Sequence, residues 1–367
     1  DQRLVGLLGI RHPIIQAPMA GTATPELAIA VSNAGGLGSL GCHGMNADEL
    51  RGLAATMRAG TKLPFNLNFF VHPQPRSDAA TLSRTRERVR PWYLQLGLGE
   101  PPLTIPEGKP GFDAATLAVL LELRPPVVSF HFGVPDREAL GALKSAGMML
   151  ISSATNVAEA RALAGAGVDA IIAQGWEAGG PRGSHRPTDP IDGVGTVALV
   201  PQIVDAVKLP VIAAGGIGDG RGIAAAFALG ASGVQMGTAF LASPEAGTDA
   251  PRRSLLRKAT DADTVVTDAF SGRVARAARS RFADSMGLVR EKLPAFPDMY
   301  EFSNPICTAA TDSEASFHLY GQAAALGREL PAAEIIDWLV SDTNLAFARI
   351  GAPGPGPGGQ MPRRRGN

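Results

Sequence analysis

Eight short apolar runs recur along the chain, and this repetition constrains the fold more than any other feature of the sequence. Each run leads into glycine or polar residues and then into an alanine-rich stretch of helical character. The runs are IIQAPMAG, GLGSLG, LPFNLNFF, VVSFHFG, MMLISSAT, AIIAQG, PVIAAGG and GVQMGT. Strands that are apolar on both faces and alternate with amphipathic helices are typical of a parallel sheet covered by helices. Eight such units predict an α/β fold, a (β/α)8 TIM barrel.

Helix boundary signals support this prediction. Thr24 is suited to cap a helix that starts at Pro25, and Asn156 is suited to cap another, with Glu159 three residues later.

The pattern changes after residue 244, which predicts a second structural unit. Residues 245–317 are more polar and predict a small, mainly helical inserted domain. Residues 318–350 return to an amphipathic helical pattern, so we expect the barrel to consist of residues 1–244 and 318–350. Residues 351–367 are too rich in proline and glycine to form a packed element and predict a flexible tail.

Composition narrows the function. The 367 residues include 34 basic and 34 acidic side chains, so no basic field favours nucleic acid or anionic lipid. Cys42 and Cys307 lack the spacing of a zinc site or disulfide framework. There is neither a signal peptide pattern nor an apolar run of about 18 residues. We therefore expect a cytoplasmic protein that acts on a small molecule, with no membrane partner and with a homodimer left open.

Glycines after the last two predicted strands indicate a phosphate site. Gly215 and Gly216 follow one strand, and Gly237 and Thr238 follow the next. Backbone N–H groups at such positions, together with helix N-termini, bind phosphate oxygens in barrels of this type. A dinucleotide fingerprint is disfavoured, because Arg221 stands where the third glycine of GxGxxG would be needed.

Other strand ends carry groups suited to a planar heterocycle. These are Ala17, Pro18 and Met19 in QAPMAG, Asn68 in NLN and Gln174 in AQG. An amide side chain offers both a donor and an acceptor, which suits the pyrimidine edge or ribityl hydroxyls of a flavin. Each could equally be a polar residue that satisfies its own loop.

Six motifs in order give a specific resemblance: QAPMAG, NLNFF, HFGVP, QGWEAGG, AAGGIGDG and QMGTAFL. Over residues 10–245 and 315–345 the chain resembles the nitronate monooxygenase (2-nitropropane dioxygenase) family. The resemblance implies an FMN-dependent barrel with a small helical domain over the flavin. It also implies oxidation of alkyl nitronates by O2 to carbonyl compounds and nitrite. The flavin contacts that it implies are Met19, Asn68, Gln174, Gly180, Gly215, Gly237 and Thr238. We also expect Gly179, next to Gly180, to bind the cofactor.

One position departs from the family pattern. The family loop commonly reads E-A-G-G-H-R-G, and its histidine is the base implied to remove a carbon proton from a neutral nitroalkane. Here that position is Pro181, whose side chain accepts no proton. His131 in HFG and His185 farther along the loop are the remaining catalytic candidates, either of which could instead satisfy a loop. Glu177 could act in the site or anchor the loop.

We therefore expect FMN-dependent oxidation of nitronates with weak activity on neutral nitroalkanes, since a nitronate is already deprotonated. Two alternatives stay open. One is an NAD(P)H-dependent flavin reductase of the enoyl thioester or quinone type. The other is a catalytically altered FMN-binding protein.

Overall fold

The computed structural model describes residues 2–108, 111–186, 193–286, 293–315 and 317–351. The proline- and glycine-rich segment from residue 352 onward lies outside the described residues, so the predicted flexible tail stays a prediction. Among the described residues, no helix is long and apolar enough to cross a lipid bilayer.

Eight parallel strands form the barrel, and each of the eight predicted runs supplies one of them. The strands are β1 (Ile14–Gln16), β2 (Gly38–Gly41), β3 (Phe65–Phe70), β4 (Val127–His131), β5 (Met149–Ala154), β6 (Ala170–Gln174), β8 (Val211–Ala214) and β9 (Gly233–Met236). Their order is β1-β9-β8-β6-β5-β4-β3-β2. The predicted TIM barrel is confirmed.

Helices alternate with these strands. They are α1 (Arg3–Leu8), α2 (Pro25–Asn33), α3 (Ala47–Gly60), α4 (Ala79–Gln95), α5 (Ala114–Leu123), α6 (Arg137–Ser145), α7 (Val157–Ala166), α8 (Thr196–Ala206), α9 (Gly220–Ala228) and α14 (Ala332–Gly351). Both predicted helix starts are confirmed, because the Thr24 side chain accepts a hydrogen bond from Leu27 N and that of Asn156 accepts one from Glu159 N.

The barrel closes between β1 and β2 with the help of a side chain. Backbone contact there is a single bridge between Ile15 and Leu37. Beyond it, the Gln16 amide accepts a hydrogen bond from Ser39 N at 2.9 Å and donates one to Ser39 O at 3.1 Å. The side chain therefore continues the ladder where the two backbones separate.

Residues alternate between the two faces of each strand. One face packs against the surrounding helices, as Leu67 and Val128 do. At the N-terminal end of the barrel, Leu4 and Leu8 of α1 fill the interior together with inward residues such as Ile151. Toward the carboxyl ends the interior becomes polar, with Ser39, Asn66, Asn68, Ser129, Ser153 and Gln174 buried there. This polar end is where a barrel enzyme carries its active site.

The segment 245–317 contains helices α10 (Ala250–Lys258), α11 (Arg281–Met286), α12 (Tyr300–Ala309) and α13 (Asp312–Ala315). It also contains strands β10 (Thr264–Thr267) and β11 (Ala275–Ala278), which were not predicted. They form an antiparallel hairpin, and β11 pairs with β7 (Gly180–Pro181).

The apolar cluster of this segment includes Val89, Trp92 and Tyr93 of α4 as well as Phe282 and Phe302. Helix α4 therefore packs with the insertion. The domain boundaries themselves stay a prediction.

Candidate active site

Four glycine-containing segments meet at the carboxyl end of the barrel. The backbones approach so closely that a Cβ atom added to Gly215 would lie only 2.9 Å from Ala178 N. A Cβ atom added to Gly179 would lie only 2.5 Å from Gly321 N. Gly321 N in turn donates a hydrogen bond to Thr238 Oγ1 at 2.9 Å. The predicted phosphate-binding residues are thus neighbours in space. Gly321 was missed by sequence reasoning, although a glycine before the last helical segment was a weak signal.

Two of these glycines have backbone conformations that residues with a side chain rarely adopt. Gly215 and Gly216 have φ angles of 102° and 71°. Such left-handed conformations are the usual reason for glycine in a tight turn that exposes backbone N–H groups. The backbone conformation alone is therefore enough to explain why residues 215 and 216 are glycines.

The predicted QAPMAG residues lie beside the next glycine. A Cβ at Gly237 would lie 3.4 Å from Ala17 Cβ and 3.5 Å from Met19 Sδ. Ala17, Pro18 and Met19 are each half-buried. They therefore form part of the rim next to the β9 end, and their role as flavin contacts stays a prediction.

The two predicted amide side chains, those of Asn68 and Gln174, have different kinds of hydrogen-bond partner. Asn68 is buried, and its Nδ2 donates to Ser129 Oγ at 2.9 Å. Gln174 holds its own loop, because its Nε2 donates to Pro181 O at 3.1 Å and its Oε1 accepts from Gly183 N at 2.7 Å.

A third amide, Gln235 in β9, was missed by sequence reasoning. Its Oε1 is buried and has no hydrogen-bond partner among the described residues. Strand alternation points this side chain into the barrel, because its neighbours Val234 and Met236 pack outward. An unpaired buried acceptor is costly, so this atom is one that a bound ligand with a donor would satisfy.

The loop from Gly175 to Gly183 is fixed from several sides. The two Glu177 carboxylate oxygens accept hydrogen bonds from Thr196 N and Thr196 Oγ1 at 2.9–3.0 Å, at the N-terminus of α8. Arg276 in β11 donates to Trp176 O at 2.9 Å. Of the two roles considered for Glu177, the structure shows that of an anchor.

His131 contacts the loop at Pro181. Its Nε2 lies 3.0 Å from Pro181 O, and its Nδ1 lies 2.7 Å from Ser153 Oγ. Since a carbonyl only accepts, Nε2 carries the proton and Nδ1 accepts from the serine hydroxyl. Burial, reinforced by the charges of Arg273 and Arg182, lowers the pKa of His131 to about 4. The imidazole is therefore neutral at physiological pH, with both nitrogens engaged.

His185 lies on the other side of the same serine. Its Nε2 donates to Ser153 O at 3.0 Å, and its backbone N–H donates to Glu159 Oε1 at 2.9 Å. The two predicted histidines are thus brought together through Ser153.

Aromatic rings lie at the ends of β3 and β4. The Phe132 ring centroid is 4.7 Å from that of Phe70 and 5.6 Å from that of Phe296, which comes from the inserted segment. The Arg273 guanidinium lies 3.6 Å from the Phe132 centroid. These rings bring the inserted segment against the barrel rim, where Phe132 and Phe296 are buried.

The residues present fit a phosphate-bearing cofactor with a polar ring edge. The adjoining glycine segments provide backbone donors at one side of the barrel mouth, and the unpaired Gln235 Oε1 lies within the same end of the barrel. Within the described residues, no group of three or more His, Cys, Asp or Glu side chains could hold a metal ion.

A family model and several known proteins match most of the chain. The family model for nitronate monooxygenase matches residues 1–342. A nitronate monooxygenase of Paraburkholderia phytofirmans is 47% identical over 355 residues, covering 95% of this chain and 96% of that protein. One of Pseudomonas aeruginosa is 44% identical over 346 residues, covering 93% and 98%.

Solved structures are also similar. The nitroalkane oxidase of Streptomyces ansochromogenes superimposes with a TM-score of 0.85 and 38% identity, covering 95% of this chain and 99% of that one. FabK of Thermotoga maritima gives a TM-score of 0.70 and 33% identity, covering 95% and 97%.

Proposed function

The chain belongs to the nitronate monooxygenase family and is an oxidoreductase, and from this premise we propose that it uses FMN to oxidise alkyl nitronates with O2 to carbonyl compounds and nitrite. Family membership supports the reaction type. The proposal that the substrate is the nitronate, and not the neutral nitroalkane, depends on the contacts of Pro181 and His131.

We propose that FMN is held at the carboxyl end of the barrel by residues of the adjoining strand ends. When bound, FMN would accept electrons from the substrate and pass them to O2. The residues proposed to contact it are Ala17, Pro18, Met19, Asn68, Gln174, Gly179, Gly180, Gly215, Gly216, Gly237 and Thr238. We add Gln235, whose buried Oε1 has no partner among the described residues, and Gly321, which lies beside Gly179.

The hydrogen bonds of His131 carry the proposal for a nitronate substrate. Removing a carbon proton from a neutral nitroalkane needs a base within reach. Pro181 supplies none, and His131 has its Nε2 proton directed at Pro181 O and its Nδ1 occupied by Ser153 Oγ. A nitronate reaches the site already deprotonated, so it needs no such base.

The loop geometry supports a second role for the same residues. Because His131 and Gln174 both donate to Pro181 O, at 3.0 and 3.1 Å, they fix the loop over the barrel mouth. The aromatic side chains of Phe70, Phe132 and Phe296 pack together beside it. A fixed loop favours orientation of the substrate.

Oxygen consumption by the purified protein tests this function. We expect turnover with a freshly prepared nitronate, accompanied by nitrite release, and a rate at least about 100-fold lower with the neutral nitroalkane, the usual scale of a missing general base. Equal rates with both forms would overturn the proposal.

The similarity to FabK supports a second candidate, the NAD(P)H-dependent flavin reductase. NADH consumption in the absence of nitronate would favour it. Bound FMN without turnover of either donor would favour the catalytically altered flavoprotein. The homodimer and the cytoplasmic location stay predictions, the first testable by light scattering.

A further inference from the structure

The turn between β8 and α9 belongs to the proposed phosphate site, and its own sequence does little to fix its conformation. Five of the eight residues from 215 to 222, which read GGIGDGRG, are glycine. Glycine loses more conformational freedom on ordering than any other residue, so a segment of this composition does not hold one conformation by itself. Contacts from outside the segment must supply what the turn lacks.

A side chain from the last helix holds the residue at which α9 begins. Gly220 N donates a hydrogen bond at 2.8 Å to Asp342 Oδ2 in α14, 122 positions later in the sequence. The next two backbone donors, Arg221 N and Gly222 N, are bound by Asp219 Oδ1 at 3.0 and 3.3 Å. The N-terminus of α9 is therefore capped twice, locally by Asp219 and from a distant part of the chain by Asp342.

Close packing of the C-terminal segment reinforces this cap. A Cβ atom added to Gly220 would overlap with Thr343 N, and one added to Gly218 would lie only 2.7 Å from Leu326 Cβ. The same segment reaches the turn after β9 through Gly321 N, which donates a hydrogen bond there. The residues that follow the inserted segment thus contact both turns of the proposed phosphate site.

The caps also determine which backbone donors remain for a phosphate. The N–H groups of Gly220, Arg221 and Gly222 are already bound by carboxylates. The N–H groups of residues 216–218 come just before them and have no acceptor in the described part of the chain. Uncommitted backbone donors at the start of a helix are the groups that bind phosphate oxygens. The cap at Gly220 therefore fixes the end of a segment that carries three such donors.

We propose that Asp342 is a positioning residue for the cofactor phosphate. By capping α9 at Gly220 it holds residues 215–219 in the binding conformation before the cofactor arrives. A site that is ordered in advance loses less conformational freedom on binding, and its affinity is higher for that reason. This inference rests on the proposed use of FMN, but not on which substrate is oxidised.

Titration of the flavin-free, full-length protein with FMN and with riboflavin, followed by flavin fluorescence, tests this role. We expect Asp342→Ala to bind FMN about fivefold more weakly than the parent, the scale of one lost helix cap. Its affinity for riboflavin should equal that of the parent, because riboflavin has no phosphate to be placed. General damage to the barrel would instead weaken the binding of both flavins.

Two variants are matched controls. Asp342→Asn keeps an oxygen that accepts from Gly220 N, and asparagine caps helices about as well as aspartate, so FMN should bind no more weakly than to the parent. Asp337→Ala removes an exposed carboxylate from the same helix and should leave both affinities unchanged. Thermal unfolding of each variant checks that it is folded.

Hydrogen exchange in the parent protein tests the same point without any variant. The Gly220 amide should be protected to a similar degree in the flavin-free and the flavin-loaded protein, because Asp342 binds it in both states. Protection that arises only when flavin is bound would overturn the proposal, since the cofactor would then order the turn.

Two titration results would also overturn it: equal FMN affinities of the parent and Asp342→Ala, or an equal loss of FMN and riboflavin binding in that variant. These outcomes leave the proposed function untouched. A parent protein that binds no flavin would remove the proposed function together with this inference. FMN binding with the expected loss in Asp342→Ala, in a protein that oxidises no nitronate, would support the inference and contradict the proposed function alone.

Discussion

Pro181 affects the chemistry through what its side chain lacks and through what its backbone provides. The side chain offers no proton acceptor, while the carbonyl accepts hydrogen bonds from His131 and Gln174. The prediction of a missing base at Pro181 could be made from the sequence, because it depends only on residue type. The sequence left open whether the Gln174 amide binds a flavin or its own loop, because the loop contact depends on how the chain returns at Gly183.

A histidine at this position should supply the missing base. Pro181→His keeps the backbone carbonyl that His131 and Gln174 bind and adds an imidazole with an ordinary pKa near neutrality. We expect the rate with neutral nitroalkanes to rise about 100-fold, with little change for nitronates. The ratio of the two oxygen-consumption rates is the measurement. Pro181→Ala, which adds no base, should leave this ratio as it is, and an unchanged ratio in Pro181→His would contradict the assignment.

The pKa of His131 predicts a stability change with pH. Its folded-state pKa of about 4 lies below the ordinary 6.5, so the unfolded chain takes up the proton first as pH falls. Stability should therefore be intact above pH 6.5 and decrease toward pH 4, by up to about 3 kcal/mol from this residue.

Urea unfolding of the parent and His131→Asn across this pH range checks that expectation. The free energy of unfolding of the variant should decrease less toward low pH than that of the parent. This holds even if the two proteins differ in stability at neutral pH. His43, whose pKa burial also lowers to about 4, contributes equally to both proteins. Parallel profiles for the two proteins would contradict the neutral, buried state of His131.

At the level of elements, the eight barrel strands were predictable because each is a continuous apolar run with glycine or polar residues after it. The β10–β11 hairpin was not, because ARAA in β11 has helical composition and its strand conformation depends on pairing with Thr264–Thr267 and Gly180–Pro181. The packing of α4 with the inserted segment was also missed, since it joins residues about 200 positions apart in the sequence, such as Trp92 and Ser285.

The closure between β1 and β2 should depend on Gln16. Gln16→Ala leaves the buried Ser39 N–H and carbonyl without the partners that the amide supplies. We expect a loss of about 2–4 kcal/mol in the free energy of unfolding. Gln202→Ala removes an exposed amide bonded to Ala198 O in α8 and should change stability by no more than about 0.5 kcal/mol. Similar values for both variants would show that the Gln16 amide does not hold the barrel closed.

At the scale of the whole molecule, the barrel and the inserted segment together place the candidate site. The barrel brings the glycine segments of β8 and β9 next to Gly179 and Gly321, and the hairpin covers the loop that carries Pro181. Sequence patterns specify each part locally, whereas the space between them follows from packing.

Anaerobic stopped-flow mixing tests the central claim most directly, because it separates electron donors without any contribution from O2. The purified protein, carrying its bound flavin, is mixed with a nitronate and separately with NADH, and the visible flavin band near about 450 nm is followed. The account predicts rapid bleaching with the nitronate and none with NADH. Bleaching by NADH alone, or a protein that neither carries nor takes up FMN, would contradict it.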